Sequence, residues 1–151
     1  MNGGGNSQQP GTHISSLGYN PAMDATKYKD LKTSRGFSYH YYYSPPREDK
    51  PVLLFLHGFP STSYDWYKQV AYFQPLGYGL LVPDCLGYGG SSKPRDGEAY
   101  LPSLLAKDIV EILDGETISK VIALGHDWCA SVAGVSFKRQ TTHRRSLGEP
   151  G

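Results

Sequence analysis

The chain has 151 residues, a formal net charge of +1 and 38% hydrophobic residues. This length suits one domain with a buried core, and the charge balance argues against a nucleic-acid partner. The longest apolar run, residues 52–56, is too short for stable membrane insertion, and no secretory signal pattern is seen. The two cysteines, Cys85 and Cys129, have no metal-ligand or redox spacing and favour a cytoplasmic location.

The N-terminal third predicts a leader, a hairpin and a buried strand. Residues 1–20 are rich in Gly, Asn, Ser and Gln without a hydrophobic period, so we expect a disordered leader. Residues 28–33 and the aromatic run 37–43 flank a turn at 34–36, which predicts an antiparallel hairpin. Residues 51–56 are continuously apolar between Pro and Gly, as in a parallel strand covered on both faces.

Helical and strand patterns then alternate. Residues 61–73 place Trp66, Val70 and Phe73 on one helical face, with Ser61 or Thr62 as the N-cap. A strand at 80–82, a helix at 101–113, a strand at 121–124 and a further helix start follow. The order predicts the α/β class, with a mostly parallel sheet, an antiparallel N-terminal hairpin and helices on both faces. Ligands of such sheets bind beyond the carboxyl ends of the strands.

The segment Gly125-His126-Asp127-Trp128-Cys129 joins the last strand to the last helix start. A small residue on each side of a central acid, in this position, is typical of a nucleophile elbow, in which the central side chain projects from a strained turn. We therefore interpret Asp127 as a carboxylate nucleophile that attacks carbon to form an ester. The alternative, which this segment alone leaves equally open, is an ordinary helix N-cap.

The segment His57-Gly58-Phe59-Pro60 follows the strand that should neighbour the elbow strand. Gly58 permits an unusual backbone angle there, and the Phe59–Pro60 bond is a candidate for the cis form. The backbone N–H groups of Phe59 and Trp128 are predicted to form an oxyanion hole beside Asp127. A tight turn without a ligand is the alternative.

A glycine-rich loop, Asp84-x-x-Gly87-x-Gly89-x-Ser91, follows the middle strand. A dinucleotide fingerprint would need a third glycine at position 92, which is Ser, and a helix opening there. We therefore predict a structural role for Asp84 and these glycines at the rim of the site. His126 is expected to pack away from the nucleophile, and His143, in a polar tail, is not expected to act as a base.

Three ordered segments together resemble the soluble epoxide hydrolases of the α/β-hydrolase superfamily: HGFPSTSYDW (57–66), PLGYGLLVPDCLGYGGSSKP (75–94) and GHDWCA (125–130). The resemblance implies that Asp127 attacks the carbon of a small apolar epoxide and that water cleaves the ester to a diol. It also implies that tyrosines of a helical cap protonate the epoxide oxygen, that a histidine oriented by an acid activates the water, and that no metal or organic cofactor is needed. Haloalkane and fluoroacetate dehalogenases share the aspartate nucleophile and are the alternative.

The sequence departs from this family in two places. Cys129 stands where the family usually has Gly, and only 24 residues follow Asp127. Residues 24–133 are thus expected to form the N-terminal half of an α/β-hydrolase fold, without the cap and later strands, followed by an irregular tail at 134–151. We expect a truncated product, inactive or impaired, whose strand at 121–124 is an exposed edge open to self-association. A non-catalytic fragment is the further alternative.

Overall fold

The predicted alternation forms a five-stranded mixed sheet in the computed structural model, which describes residues 23–134. The predicted leader and the tail beyond residue 134 lie outside the described residues. Strand order is β1-β2-β4-β3-β5. The strands are β1 (Tyr28–Lys32), β2 (Ser38–Ser44), β3 (Val52–Leu56), β4 (Gly79–Pro83) and β5 (Val121–Gly125). The helices are α1 (Tyr67–Phe73) and α2 (Pro102–Gly115), with 3-10 turns at Ala25–Lys27, Ser63–Trp66 and Gly97–Tyr100. Residues 129–134, after β5, are also helical.

Strand direction divides the sheet into two parts. β1 and β2 form the predicted antiparallel hairpin, and β2 also runs antiparallel to β4. β4, β3 and β5 are parallel neighbours. Every residue of β3 and β4 is buried, which confirms the prediction of central strands covered on both faces.

Each face of the sheet has its own apolar layer. Alternate side chains of β3 and β4 point to opposite faces, so Leu54 and Leu81 pack in one cluster with α2, and Phe55 and Val82 pack in another with Val70 of α1. In the first cluster, α2 contributes an apolar stripe of Leu105, Ala106, Ile109, Ile112 and Leu113. None of the helices between residues 23 and 134 is long and apolar enough to cross a membrane.

The helix predicted over residues 61–73 begins differently from the prediction. Its first turn is a 3-10 helix at Ser63–Trp66, and Thr62 is the N-cap position but makes no side-chain cap bond. The N–H of Ser63 instead donates to Oδ1 of Asp84 at 2.7 Å. A carboxylate from the loop after β4 therefore satisfies the donor that the local cap was expected to satisfy.

A buried ion pair fastens the hairpin turn to α2. Asp108 is fully buried, and its Oδ2 lies 2.5 Å from Nη1 of Arg35. The same oxygen accepts the hydroxyl of Tyr39 at 2.8 Å. The turn between β1 and β2 is thus held against the helix that covers one face of the sheet.

β5 is the edge of the sheet that the described residues form. Its residues alternate between partly buried and exposed, and Ile122 and Leu124 are 50% and 39% exposed. β3 pairs with one side of β5, so the other side presents an apolar edge, as expected from the sequence.

Candidate active site

Two loops leave the carboxyl ends of β3 and β5 side by side. The register pairs Leu56 with Gly125, and the N–H of His126 donates to the carbonyl of Leu56 at 2.9 Å. The two segments predicted to meet, residues 57–60 and 125–129, therefore begin at adjacent points of one sheet edge.

Asp127 occupies the strained position of the turn. Its φ is +56°, a left-handed conformation that non-glycine residues rarely adopt. A Cβ added to Gly125 would lie 2.7 Å from Cα of Ala130, so the incoming strand and outgoing helix approach too closely for a larger residue. The side chain of Asp127 is exposed to solvent. This geometry is that of an elbow and is tighter than an ordinary N-cap requires.

The carboxylate of Asp127 faces the neighbouring loop. The backbone N–H of Phe59 donates to its Oδ2 at 3.3 Å, and the Phe59–Pro60 peptide bond is cis. Gly58 allows the two loops to approach each other. It does so without the unusual backbone angle that was expected, because its φ lies outside the left-handed region. A Cβ there would lie 2.6 Å from Cβ of Asp127. Glycine is needed because the two loops are in contact.

Trp128 lies on the same turn, immediately after Asp127. Among the described contacts its carbonyl accepts hydrogen bonds from Ser131, whereas its N–H makes none with Asp127. Trp128 is 41% exposed and Phe59 is 69% exposed. The structure thus brings the Phe59 amide to the carboxylate and leaves the Trp128 amide adjacent to it.

His57 is a structural part of the site that the sequence reasoning did not single out. Its ring is buried, Nε2 accepts the N–H of Cys85 at 2.8 Å, and Nδ1 donates to the carbonyl of Gly58 at 3.0 Å. This pattern requires the neutral ring protonated at Nδ1. Burial lowers the pKa of His57, which favours the same form. The histidine holds the loop after β3 against the loop after β4.

Asp84 organises the glycine-rich loop. Its Oδ2 accepts the N–H of Gly90 at 2.8 Å, while Oδ1 holds Ser63. Gly89 has a φ of +49°, and a Cβ there would lie 2.0 Å from Oδ2 of Asp84. The next helical turn starts only at Gly97, so no helix opens where a dinucleotide fingerprint would need one. The predicted structural role of this loop agrees with these contacts.

The fold also brings together two cysteines that the sequence analysis treated as unrelated. Sγ of Cys85 and Sγ of Cys129 lie 3.2 Å apart, and both side chains are buried. Their separation of 44 residues hid this contact, because only the pairing of β3 with both β4 and β5 places the two loops together.

Two histidines, His126 and His143, were also considered in the sequence. His126 is exposed, so the expectation that it packs is wrong for the described structure. It continues the exposed alternate positions Ile122 and Leu124 of β5. His143 lies outside the described residues. Between residues 23 and 134, no group of three or more His, Cys, Asp or Glu side chains could hold a metal ion.

Comparison with known proteins agrees with this geometry. A family model described as the alpha/beta hydrolase fold matches residues 51–134, just over half of the chain. The chain belongs to the alpha/beta hydrolase fold family. The matched range contains both loops of the site and the contacting cysteines, so the elbow geometry and the family assignment rest on the same residues.

The relatives of this alpha/beta hydrolase chain include proteins named as epoxide hydrolases. An epoxide hydrolase of Caballeronia sordidicola is 43% identical over 83 residues, which are 55% of this chain and 25% of that protein. Epoxide hydrolase A of Mycobacterium tuberculosis is 43% identical over 82 residues, 54% of this chain and 26% of that protein. The chain thus matches about a quarter of these relatives' length.

A solved structure shows the same partial coverage. The epoxide hydrolase structure from Vigna radiata superposes with a TM-score of 0.67 at 30% identity, covering 75% of this chain and 36% of that one. The chain therefore corresponds to about a third of that larger structure, which confirms the expectation of a partial α/β-hydrolase fold.

Proposed function

We propose that this alpha/beta hydrolase chain carries the nucleophile and an oxyanion-hole amide of an epoxide hydrolase. The observation that carries the proposal is the Asp127 carboxylate, held on a left-handed turn with Oδ2 3.3 Å from the Phe59 nitrogen. A helix N-cap needs neither the strained φ nor a donor from another loop. The names of the relatives support an epoxide as substrate over the carbon–halogen bond of a dehalogenase.

The chemistry follows from the position of these groups. A carboxylate oxygen of Asp127 attacks an epoxide carbon, the carbon–oxygen bond of the ring breaks, and the alkoxide takes a proton from an acid. The product is a hydroxyalkyl ester of Asp127. Water then attacks the ester carbonyl carbon, and the negative charge that develops on the carbonyl oxygen is stabilised by the N–H groups of Phe59 and Trp128. Collapse of this intermediate releases a diol and restores the carboxylate.

Turnover needs an acid for the first step and a base for the second. Among the described residues, no histidine is hydrogen-bonded to Asp127, and His57 is committed to the backbone groups of Gly58 and Cys85. We propose that the base comes from outside residues 23–134; where this base is absent, the ester on Asp127 persists.

Incubation of the 151-residue protein with styrene oxide tests the assignment. Intact-protein mass spectrometry should show one adduct of about 120 Da, the mass expected when one epoxide adds to one carboxylate. Peptide mapping should place it on Asp127, and diol should appear only slowly. Asp127→Asn removes the nucleophile with little change in shape and should abolish the adduct.

The matched control is Asp49→Asn, which neutralises another exposed aspartate and should leave the adduct intact. Equal labelling of the Asp127→Asn and Asp49→Asn variants would show that labelling is non-specific. A folded wild-type protein that gains no adduct at Asp127 would contradict the assignment of the nucleophile. Release of halide from a haloalkane, without any reaction with the epoxide, would favour the dehalogenase alternative.

We also propose a cytoplasmic location and self-association through β5. Cys85 and Cys129 are not joined by a disulfide in the structure, which supports a reducing compartment. The exposure of Ile122 and Leu124 on the edge strand supports association of copies through that edge.

A further inference from the structure

Two buried thiols meet next to the turn that carries the candidate nucleophile. Cys85 and Cys129 are 7% and 1% exposed, and their sulfur atoms are 3.2 Å apart, within hydrogen-bond distance for sulfur. Cys129 is two residues after Asp127, at the first turn of the helix that follows the elbow. The proposed hydrolysis uses neither thiol.

Cys85 also connects this pair to the other loop of the site. Its N–H donates to Nε2 of His57 at 2.8 Å, and its sulfur lies 3.7 Å from the His57 carbonyl oxygen. His57 in turn holds the carbonyl of Gly58, next to the Phe59 amide. The two sulfurs therefore connect the loop after β4 with the loop that carries Asp127, and Cys85 also contacts the loop that carries Phe59.

We propose that Cys85 and Cys129 form a reversible redox modification site, oxidised by a hydroperoxide to an intramolecular disulfide that distorts the nucleophile elbow. One thiolate attacks the peroxide, the oxygen–oxygen bond breaks, and a sulfenic acid and an alcohol (or water) result. The second thiol then attacks the sulfenic sulfur, a sulfur–sulfur bond forms, and water leaves. Two thiols are oxidised, one peroxide is reduced, and a dithiol restores the pair.

The environment of the pair favours this reaction. A hydrogen bond from Cys85 stabilises the thiolate of Cys129 and lowers its pKa, so Cys129 is the thiol that attacks peroxide. The same contact and burial raise the pKa of Cys85. Both thiols are buried, so a small peroxide reaches the pair through local opening of the segment that begins with β5, which has a strand on one side only among the described residues.

A disulfide would change the geometry of the site. The sulfurs must move from 3.2 Å apart to about 2.0 Å, the length of a disulfide bond. Cys129 is separated from Asp127 by one residue, whereas Cys85 follows the fully buried β4 by two residues and is held by His57 through its N–H and its sulfur. The elbow therefore takes up most of the movement. A displacement near 1 Å at a reacting group can slow a reaction about 100-fold.

The first test needs no variant. The folded 151-residue protein is treated with hydrogen peroxide, then denatured and titrated for thiols beside an untreated sample. We expect two thiols to fall to none, a monomer about 2 Da lighter and a bridged peptide pair in a non-reducing digest, all reversed by dithiothreitol. Two persisting thiols, or disulfide-linked dimers in place of the intramolecular bridge, would overturn the proposal. This readout does not depend on the reaction of Asp127.

The second test asks whether the bridge acts on the elbow, and this part rests on the proposed function. The rate of Asp127 labelling by styrene oxide is compared for oxidised and reduced samples. Wild type should slow at least tenfold on oxidation and recover on reduction, whereas Cys129→Ser, which lacks the thiol that attacks peroxide, should show a ratio near one. An equal loss in Cys129→Ser would attribute the effect to another oxidised residue and overturn the coupling. A bridge that forms without changing the rate would do the same.

Discussion

Gly58 offers the sharpest test of the site geometry. A Cβ at this position would lie 2.6 Å from Cβ of Asp127 and 3.0 Å from the His126 carbonyl oxygen. Ordinary contact begins near 3.4 Å, so Gly58→Ala must push the two loops apart by close to 1 Å. The bond from the Phe59 N–H to Asp127 is already 3.3 Å long and does not survive such a shift. We expect a loss of about 1–3 kcal/mol in the free energy of unfolding, as for other overpacked sites.

The matched control is Gly97→Ala. A Cβ at Gly97 meets nothing within 4 Å, and its φ lies outside the left-handed region. Urea unfolding of both variants measures stability, and mass spectrometry with styrene oxide measures the labelling rate of Asp127. Gly58→Ala should label about 10- to 100-fold more slowly than Gly97→Ala. If the two variants were equally stable and labelled at equal rates, the close contact of the two loops would be refuted.

Three further predictions concern stability and association. Burial lowers the pKa of His57. The neutral ring therefore contributes fully to the free energy of unfolding above the ordinary pKa of 6.5, and this contribution is lost as the pH falls below that value. Urea unfolding at pH 7.5 and 5.5 should show this loss of stability in wild type and a smaller loss in His57→Asn. Arg35→Met leaves the carboxylate of Asp108 buried and unpaired and should cost about 3–5 kcal/mol in the same assay, whereas Lys32→Met, at an exposed position, should cost little. Ile122→Lys should weaken self-association in analytical ultracentrifugation, whereas Leu76→Lys, at an equally exposed residue away from the edge, should not; equal effects would exclude β5 as the interface.

Local pattern predicted most of the secondary structure because the central strands are simple signals. Residues 52–56 are continuously apolar and form a fully buried strand, and the stripe on α2 predicted its buried face. The elbow was recognisable because a small residue, an acid and a strand-to-helix junction coincide at Asp127. Each of these signals lies within a few neighbouring residues.

Contacts between distant residues were not predictable in the same way. The start of the helix after Thr62 depends on Asp84, and the position of the Gly58 carbonyl depends on His57. The need for glycine at position 58 was predicted, but for the wrong reason, since the partner is Asp127 and not an unusual φ. These effects depend on the order β4-β3-β5, which no local pattern records.

The position of β5 at the edge divides the site into two halves of unequal local stability. The Phe59 amide follows β3, which has strands on both sides, whereas Asp127 follows β5, which is paired on one side among the described residues. Amides of β3 and β4 should exchange with solvent deuterium only on global unfolding, and those of β5 through smaller openings. The Asp127 carboxylate can then separate from the Phe59 N–H while the rest of the sheet stays folded. The fraction of molecules in which these two groups are hydrogen-bonded is therefore set by the fluctuations of β5.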